Sequence, residues 1–403
     1  MRIGIVTTWF ERGAAYVSRQ IRDSLLRDGN EVFIFARGGE KYARNDENWD
    51  GPHVHWSKRI ESPFSLTLID ETEFTQWLRA SKIDAVLFNE QRWMQPILWC
   101  KSQNVKTIAY VDYYREDTLF QFEAYDALIC NTKRHFSVFS ESRFNSHFVQ
   151  WGTDLTVFNS QNRNEESNYT LFHSAGMNPV RKGTDLLLAA LAVDYPGKVL
   201  IQSQLPLENF FPKLENKINE LKNSGVLEII EKTVPWPGLY HKARCYVYPS
   251  RLDGIGLTLL EAMATGSFVI TTDEGPMNEF VTTLSGFVVP VEKRYCRWDG
   301  YYWPVSEVSV KELKKKIYEV AELDLDLNQH KKIEAFVKQN FDWTRNSSRL
   351  SEIIHSAKIK PLAPELEHKI SDYDFRGIHR LDRVILRFNG TYKGLRNLLR
   401  LVK

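Results

Sequence analysis

The sequence predicts an α/β protein of two doubly wound, parallel-sheet units in tandem, followed by a helical tail. Three observations carry this expectation. Short apolar runs of strand length alternate with longer segments of helical period from the first residues onward. One polar break, 160–168, interrupts the alternation, which then restarts. The chain has 403 residues, more than one core usually organises, and its 43% hydrophobic and 13% aromatic content can fill two.

In the first half, Ile3 to Thr7 reads as a strand, Tyr16 to Arg27 as a helix, and Glu31 to Phe35 as a second strand after the turn Asp28-Gly29-Asn30. Asp84 to Phe88, Lys106 to Val111 and Ala127 to Cys130 continue the series, each followed by a polar or helical segment. Past the break, Tyr169 to Phe172, Lys198 to Ile201, Leu227 to Ile230, Cys245 to Tyr248 and Ser267 to Thr271 are strand-like. Helical patterns lie between them at Thr184 to Ala192, around Leu214 to Leu221, and from near Thr258. Such βα alternation builds parallel sheets wrapped by helices. The boundaries follow as 1–160 for the first unit and 169–340 for the second, facing each other across a cleft, with ligands expected at the C-terminal strand ends.

Composition narrows the function. With 53 Lys plus Arg against 51 Asp plus Glu, the chain is no bulk nucleic-acid binder, and no nucleic-acid partner is expected. The cysteines, Cys100, Cys130, Cys245 and Cys296, are far apart and lack metal-ligand spacing, which reads as free thiols in a reducing compartment. The N-terminal apolar run is too short for a signal-peptide core, and no apolar stretch is long enough for a transmembrane helix. A cytoplasmic protein, free or on a membrane surface, is expected.

The most informative stretch runs from Tyr248 to Glu279: a strand end, a loop with Asp253, Gly254 and Gly256, then a helix bearing Glu261, with Gly266 further on. Loop glycines let backbone N–H groups approach an anion, and a helix N-terminus adds more donors with a favourable dipole. A phosphate suits that place, and Glu261 can accept a bond from a sugar hydroxyl. Alone, a Gly-x-Gly of this kind also reads as an ordinary strand-to-helix turn with a solvated Glu.

The whole stretch resembles the signature of the retaining glycosyltransferases of family four, which have the GT-B fold: two Rossmann-like domains. In that signature an acidic residue precedes Gly-Phe-Gly-Leu, a second acid follows eight positions after the first, and Ala-Met-Ala-x-Gly comes next. Asp253 and Glu261 stand at the acidic positions. Weaker matches follow in order. Gly13-Ala14-Ala15-Tyr16 resembles the small-residue loop that approaches the donor diphosphate, and Trp151-Gly-Thr-Asp154 through Phe158 resembles the segment before the interdomain linker. Gly176 through Arg181, Lys182 and Gly183 resembles the element whose basic residues neutralise the diphosphate. Phe341-Asp-Trp343 resembles the entry to a helix that crosses back to the first domain, which assigns 341–375 to that crossover.

The resemblance implies a nucleotide diphosphate sugar as donor substrate, with no cofactor and no metal. Lys182 is implied as the diphosphate lysine, with Arg181 adding a bidentate contact. Asp253 takes the sugar hydroxyls and Glu261 the ribose. The N–H groups of Gly256, Leu257 and Thr258 bind phosphate or sugar oxygens, and Gly13, Ala14 and Gly176 line the donor, with the nucleobase passing Val234. Three departures stand out: Met177 replaces the usual Arg, Asp253 is one methylene shorter than the usual Glu, and Asp112 stands where many members carry a His. Asp112 reads equally as a group that holds a sugar hydroxyl or an oxocarbenium-like centre, and as a loop cap. Asp372-Tyr-Asp374 and Asp324-Leu-Asp326 mimic a metal-binding Asp-x-Asp but lie in helical or tail segments. Gln91 to Met94 and Tyr113 to Glu116 are candidate acceptor contacts.

After Phe375 the composition changes: residues 376–403 hold eight Lys plus Arg and one acid, so a body of net −5 carries a tail of net +7. Apolar residues at helical spacing oppose a basic stripe in two segments, a pattern suited to an anionic membrane surface. A tail packed on the first unit with a solvated basic face is the lesser alternative. The resemblance and the tail together imply retaining transfer of a sugar to a glycan acceptor, lipid-linked, in cell-envelope polysaccharide assembly such as lipopolysaccharide. The enzyme would be peripheral on the inner face of the cell membrane. A non-catalytic glycosyltransferase-like protein that binds nucleotide sugar or a partner is the alternative.

Overall fold

The computed structural model describes residues 1–37, 42–60, 67–163, 168–235 and 237–376. The chain divides into two compact units, one of residues 1–130, 135–149 and 347 onward, the other of 131–134 and 150–346.

The first unit holds a parallel seven-stranded sheet: β1 (Arg2–Thr7), β2 (Glu31–Ala36), β3 (Val54–Trp56), β4 (Ala85–Asn89), β5 (Lys106–Tyr110), β6 (Ala127–Cys130) and β7 (Ser146–Phe148), in the order β3-β2-β1-β4-β5-β6-β7. The central strands β1, β4 and β6 are buried along almost their whole length, so they read as continuous apolar runs rather than as alternations. Helices α1 (Gly13–Arg27), α2 (Glu71–Ala80), α3 (Gln95–Ser102) and α4 (Lys133–Phe139) follow strands, although α4 starts on residues of the second unit.

The second unit repeats the plan with β8 (Tyr169–Gly176), β9 (Val199–Ser203), β10 (Leu227–Glu231), β11 (Ala243–Tyr248), β12 (Phe268–Thr272) and β13 (Gly286–Val289), parallel in the order β10-β9-β8-β11-β12-β13. Its helices are α5 (Thr184–Ala190), α6 (Glu215–Asn223), α7 (Leu257–Ala264), α8 (Val310–Glu322), α9 (Leu327–Asn340) and the short α10 (Trp343–Asn346). An antiparallel hairpin, β14 (Val291–Tyr295) with β15 (Val305–Val308), is inserted before α8. The strand order reverses beside β8, so the loops after β8 and β11 leave neighbouring strands at the same edge of the sheet.

The change of unit comes at Gln150, ahead of the polar break at 160–168. Trp151 packs on Trp343 with ring centroids 4.2 Å apart, and Gly152 lies so near Phe341 that a Cβ would sit 2.4 Å from its carbonyl oxygen. Residues 151–153 are thereby held by the 341–343 segment. Helices α11 (Arg349–Ser356) and α12 (Pro364–Arg376) belong to the first unit. Asn30 donates to Ser351 Oγ at 2.7 Å and bonds His355 Nε2 at 2.8 Å, fixing α11. Asp374 accepts from the Met94 N–H at 2.9 Å and from Gln95 Nε2 at 3.0 Å, so this acid of the Asp-x-Asp pair caps the start of α3. Among the described residues no helix is long and apolar enough to cross a membrane. The basic tail, apart from Arg376, lies outside the described residues.

Candidate active site

In the second unit β11 delivers the chain into the loop 249–256, and Asp253 folds that loop. Its Oδ1 accepts from the N–H of Ile255 at 3.3 Å and of Gly256 at 3.1 Å, a side-chain-to-backbone turn. Gly256 has φ +85, a left-handed conformation that an L side chain resists, and it starts α7 with no side-chain cap. The first N–H groups of α7, at Leu257 and Thr258, therefore keep the donor character of an uncapped helix start.

Lys182 reaches the same place from the loop after β8. Its Nζ lies 2.9 Å from Asp253 Oδ2 and also contacts the Tyr248 hydroxyl, which itself donates to Asp253 Oδ2. Gly183 makes this possible: with φ +72, it passes so close to the next loop that a Cβ would stand 2.1 Å from the Pro249 carbonyl oxygen. Arg181 is more open, its Nη1 4.0 Å from Asp253 Oδ2 and its side chain 44% exposed. Its carbonyl accepts from the Arg251 N–H at 2.9 Å, pinning the two loops together.

Charge in this cluster is uneven. Burial opposes ionisation of Asp253, but Lys182, Arg181 and the Tyr248 hydroxyl outweigh it and hold the carboxyl well below the usual range. Burial also depresses Lys182, and the negative charge of Asp253 works against that. Glu261, on α7, behaves oppositely. Burial raises it to about 7 even though the Tyr240 hydroxyl donates to its Oε2 at 2.6 Å. The site thus holds one carboxylate locked as an anion and another poised to titrate near neutrality.

Sequence reasoning missed the side chains that brace this arrangement. Arg251, buried, forks onto both oxygens of Asp185 at 2.7 Å and bonds Glu307 at 2.9 Å and the Val180 carbonyl at 2.6 Å. Arg134 donates to the Asp253 carbonyl at 2.7 Å and to the Gly275 carbonyl, while Glu279 accepts from the N–H groups of Lys133 at 2.7 Å and Arg134 at 2.8 Å. Nothing local in the sequence marks these partners, because each pair is separated by 56 to 146 residues. His173 is a positioning residue: burial lowers it to about 4, and its ring bridges the Val247 carbonyl and the Thr184 hydroxyl, each at 2.8 Å. That bridge ties the start of α5, and with it Lys182, to β11.

Of the predicted site residues, Lys182, Arg181, Asp253, Gly256, Leu257, Thr258 and Glu261 gather on the loops and helix starts beside β8 and β11. Gly176, with φ +57, ends β8 at the same edge, and Met177 next to it is 68% exposed. Val234 lies on the loop after the edge strand β10, two strands away from β8 and outside this network. Gly13, Ala14 and Asp112 belong to the first unit. Gly13 and Ala14 open α1, which has no side-chain cap, and a Cβ on Gly13 would meet nothing within 4 Å. Asp112 follows β5 and accepts from the Tyr113 N–H at 2.6 Å. Burial, reinforced by Glu90, raises it to about 7 against the pull of Arg92 and of Arg37, whose own pKa burial lowers to about 10. Among the described residues no group of three or more His, Cys, Asp and Glu is placed to hold a metal ion.

Two six- and seven-stranded Rossmann-like sheets with this site at a switch point define the GT-B class. Solved structures agree. A glycosyltransferase from Rickettsia africae ESF-5 superposes with TM-score 0.69 at 16% identity over 89% of this chain and 99% of its own. Anabaena HepE, solved in complex with UDP and glucose, gives 0.63 at 15% identity over 88% of this chain and 100% of its own. Residues 156–295, within the second unit of this GT-B-fold chain, match the family model described as glycosyl transferases group 1. A lipopolysaccharide core biosynthesis mannosyltransferase, LpsB of Rhizobium meliloti (strain 1021), is 31% identical over 108 residues, 25% of this chain and 31% of that protein. The match thus spans about a third of the length of that curated relative.

Proposed function

We propose that the protein is a retaining glycosyltransferase that moves a sugar from a nucleotide diphosphate sugar to a lipid-linked glycan acceptor in cell-envelope polysaccharide assembly. The observation that carries this reading is the convergence of Lys182, Arg181 and the uncapped start of α7 on one spot, with Asp253 alongside. Breaking the bond between sugar C1 and the diphosphate sends its electron pair to a phosphate oxygen, so charge builds on the leaving group. Lys182 and Arg181 neutralise that charge, and the N–H groups of Leu257 and Thr258 add donors at the helix start. The acceptor hydroxyl bonds to C1 from the face the diphosphate leaves, and its proton passes to the departing phosphate oxygen. Configuration is retained without an enzymic nucleophile. With the neutralising charge on two side chains, the reaction is proposed to need no metal.

Asp253 then orients sugar hydroxyls and Glu261 the ribose, as the signature implies. Gly13, Ala14, Gly176 and Val234 are proposed to line the donor, and Asp112 to face the transferred sugar. The tail, 376–403, is proposed to hold the enzyme on the anionic inner face of the membrane, on the strength of its charge and apolar spacing. Exposure of Met177 where a cation is usual favours one alternative, a protein that binds nucleotide sugar without turning it over.

Incubating the protein with UDP-, GDP- and dTDP-sugars in chelator-containing buffer, and following slow donor hydrolysis, separates the two. Hydrolysis that survives the chelator and is lost in Lys182→Ala supports transfer. Donor binding without turnover, even with candidate acceptors present, supports the alternative.

A further inference from the structure

The β14–β15 hairpin is rich in aromatic side chains, most of which take no part in the site described above. Between Val291 and Val308 stand Tyr295, Trp298, Tyr301, Tyr302 and Trp303. Trp298 is 96% exposed, an unusual state for an indole, and Tyr295 and Tyr302 are 47% and 39% exposed. The tip that carries them is braced. Arg297 forks onto Asp299, with Nε 2.7 Å from Oδ1, and lies 5.0 Å over the Tyr301 ring, while Tyr301 itself is buried. Trp298 therefore projects from a loop whose neighbours are fixed.

The base of the hairpin is joined to the candidate active site. The Ser306 N–H donates to the Arg251 carbonyl at 2.9 Å, and Glu307 accepts from the Arg251 side chain. Arg294 bonds Glu274 at 2.7 Å, next to Gly275. Trp303 carries Arg134 over its ring at 5.0 Å, the same Arg134 that holds the Asp253 and Gly275 carbonyls. The aromatic tip is an extension of the loops that form the site.

We propose that this hairpin, through Trp298, is a binding platform for the glycan chain of the acceptor. The choice of a glycan rests on the transfer reaction proposed above. A flat indole face with negative quadrupole matches the polarised C–H face of a pyranose, and Arg297 and Asp299, its neighbours in the chain, are polar groups of the kind that pair with ring hydroxyls. Charge argues against a membrane as occupant: the hairpin has three bases, Lys293, Arg294 and Arg297, against three acids, Glu292, Asp299 and Glu307. An anionic surface attracts clustered cations, not a neutral hairpin.

The test uses the full chain, Trp298→Ala and Trp298→Phe on a printed array of bacterial and synthetic oligosaccharides. In parallel, the thermal shift and slow hydrolysis produced by the nucleotide-sugar panel are recorded. The expected result is array binding by the full chain, weakened about tenfold or more in Trp298→Ala and largely kept in Trp298→Phe, with the donor shift equal in all three. Equal array binding by all three proteins overturns the proposal, as does no array binding by the full chain. Loss of sedimentation with phosphatidylglycerol-containing vesicles in Trp298→Ala, with array binding intact, overturns it in favour of a membrane contact. Absent donor hydrolysis with Trp298-dependent array binding instead removes the transferase reading and leaves the platform standing.

Discussion

Replacing Glu261 by Gln isolates the carboxyl beside Asp253 that titrates near neutrality. Its folded pKa is about 7 against an ordinary 4.5, chiefly because burial disfavours the charged form. A carboxyl raised in this way adds stability in full below its unfolded pKa, and that contribution is lost as pH rises through the folded value. The difference corresponds to about 3 kcal/mol over the whole titration, of which about 2.5 kcal/mol falls between pH 5 and pH 8.5. Gln keeps an oxygen for the Tyr240 hydroxyl and removes the charge. In urea unfolding without donor, the native protein should therefore lose about 2.5 kcal/mol relative to Glu261→Gln when the pH is raised from 5 to 8.5. The same variant links this titration to the proposed ribose role. Hydroxyls donating to Glu261 favour its ionised form, so donor affinity should rise with pH through 7 in the native protein and stay flatter in the variant. Unfolding curves whose separation is the same at both pH values would refute the burial argument.

Other expectations follow from the same geometry. Gly183→Ala forces a Cβ onto the Pro249 carbonyl in a left-handed backbone, so it should cost at least about 1–3 kcal/mol in urea unfolding and abolish donor hydrolysis. Arg251→Lys keeps the charge but loses the fork onto Asp185, with an expected loss of about 1–3 kcal/mol in stability and a raised donor KM. Truncation after Phe375 removes eight cations and should abolish sedimentation with anionic vesicles while leaving donor hydrolysis intact; unchanged sedimentation would sink the membrane role of the tail.

Local features were readable in advance. Strands such as Ala127–Cys130 were legible because they are buried on both faces and apolar throughout. The edge strands Val54–Trp56 and Ser146–Phe148 are three residues each, only half-buried and mixed in polarity, and no period marks them. Helix α1 begins at Gly13, a turn ahead of the apolar pattern at Tyr16, because Gly-Ala-Ala carries no periodicity to read. The segment 150–158 looked like part of the first unit, since Trp151 meets its partner Trp343 only in three dimensions.

The same division runs through the site. The sequence by itself determined the α/β class, the tandem repeat of the unit, and the spacing that puts Asp253 in a loop and Glu261 on the helix after it. All of these depend on residues a few positions apart, whose relation the backbone sets directly. Tertiary structure alone decided that Lys182 and Tyr248 share one oxygen of Asp253, that Arg251 clamps Asp185 and Glu307, and that two acids eight residues apart ionise so differently. Those facts depend on β8 and β11 being neighbours and on how deeply each carboxyl is buried. Strand order and desolvation are properties of the packed sheet, and no window of sequence contains them.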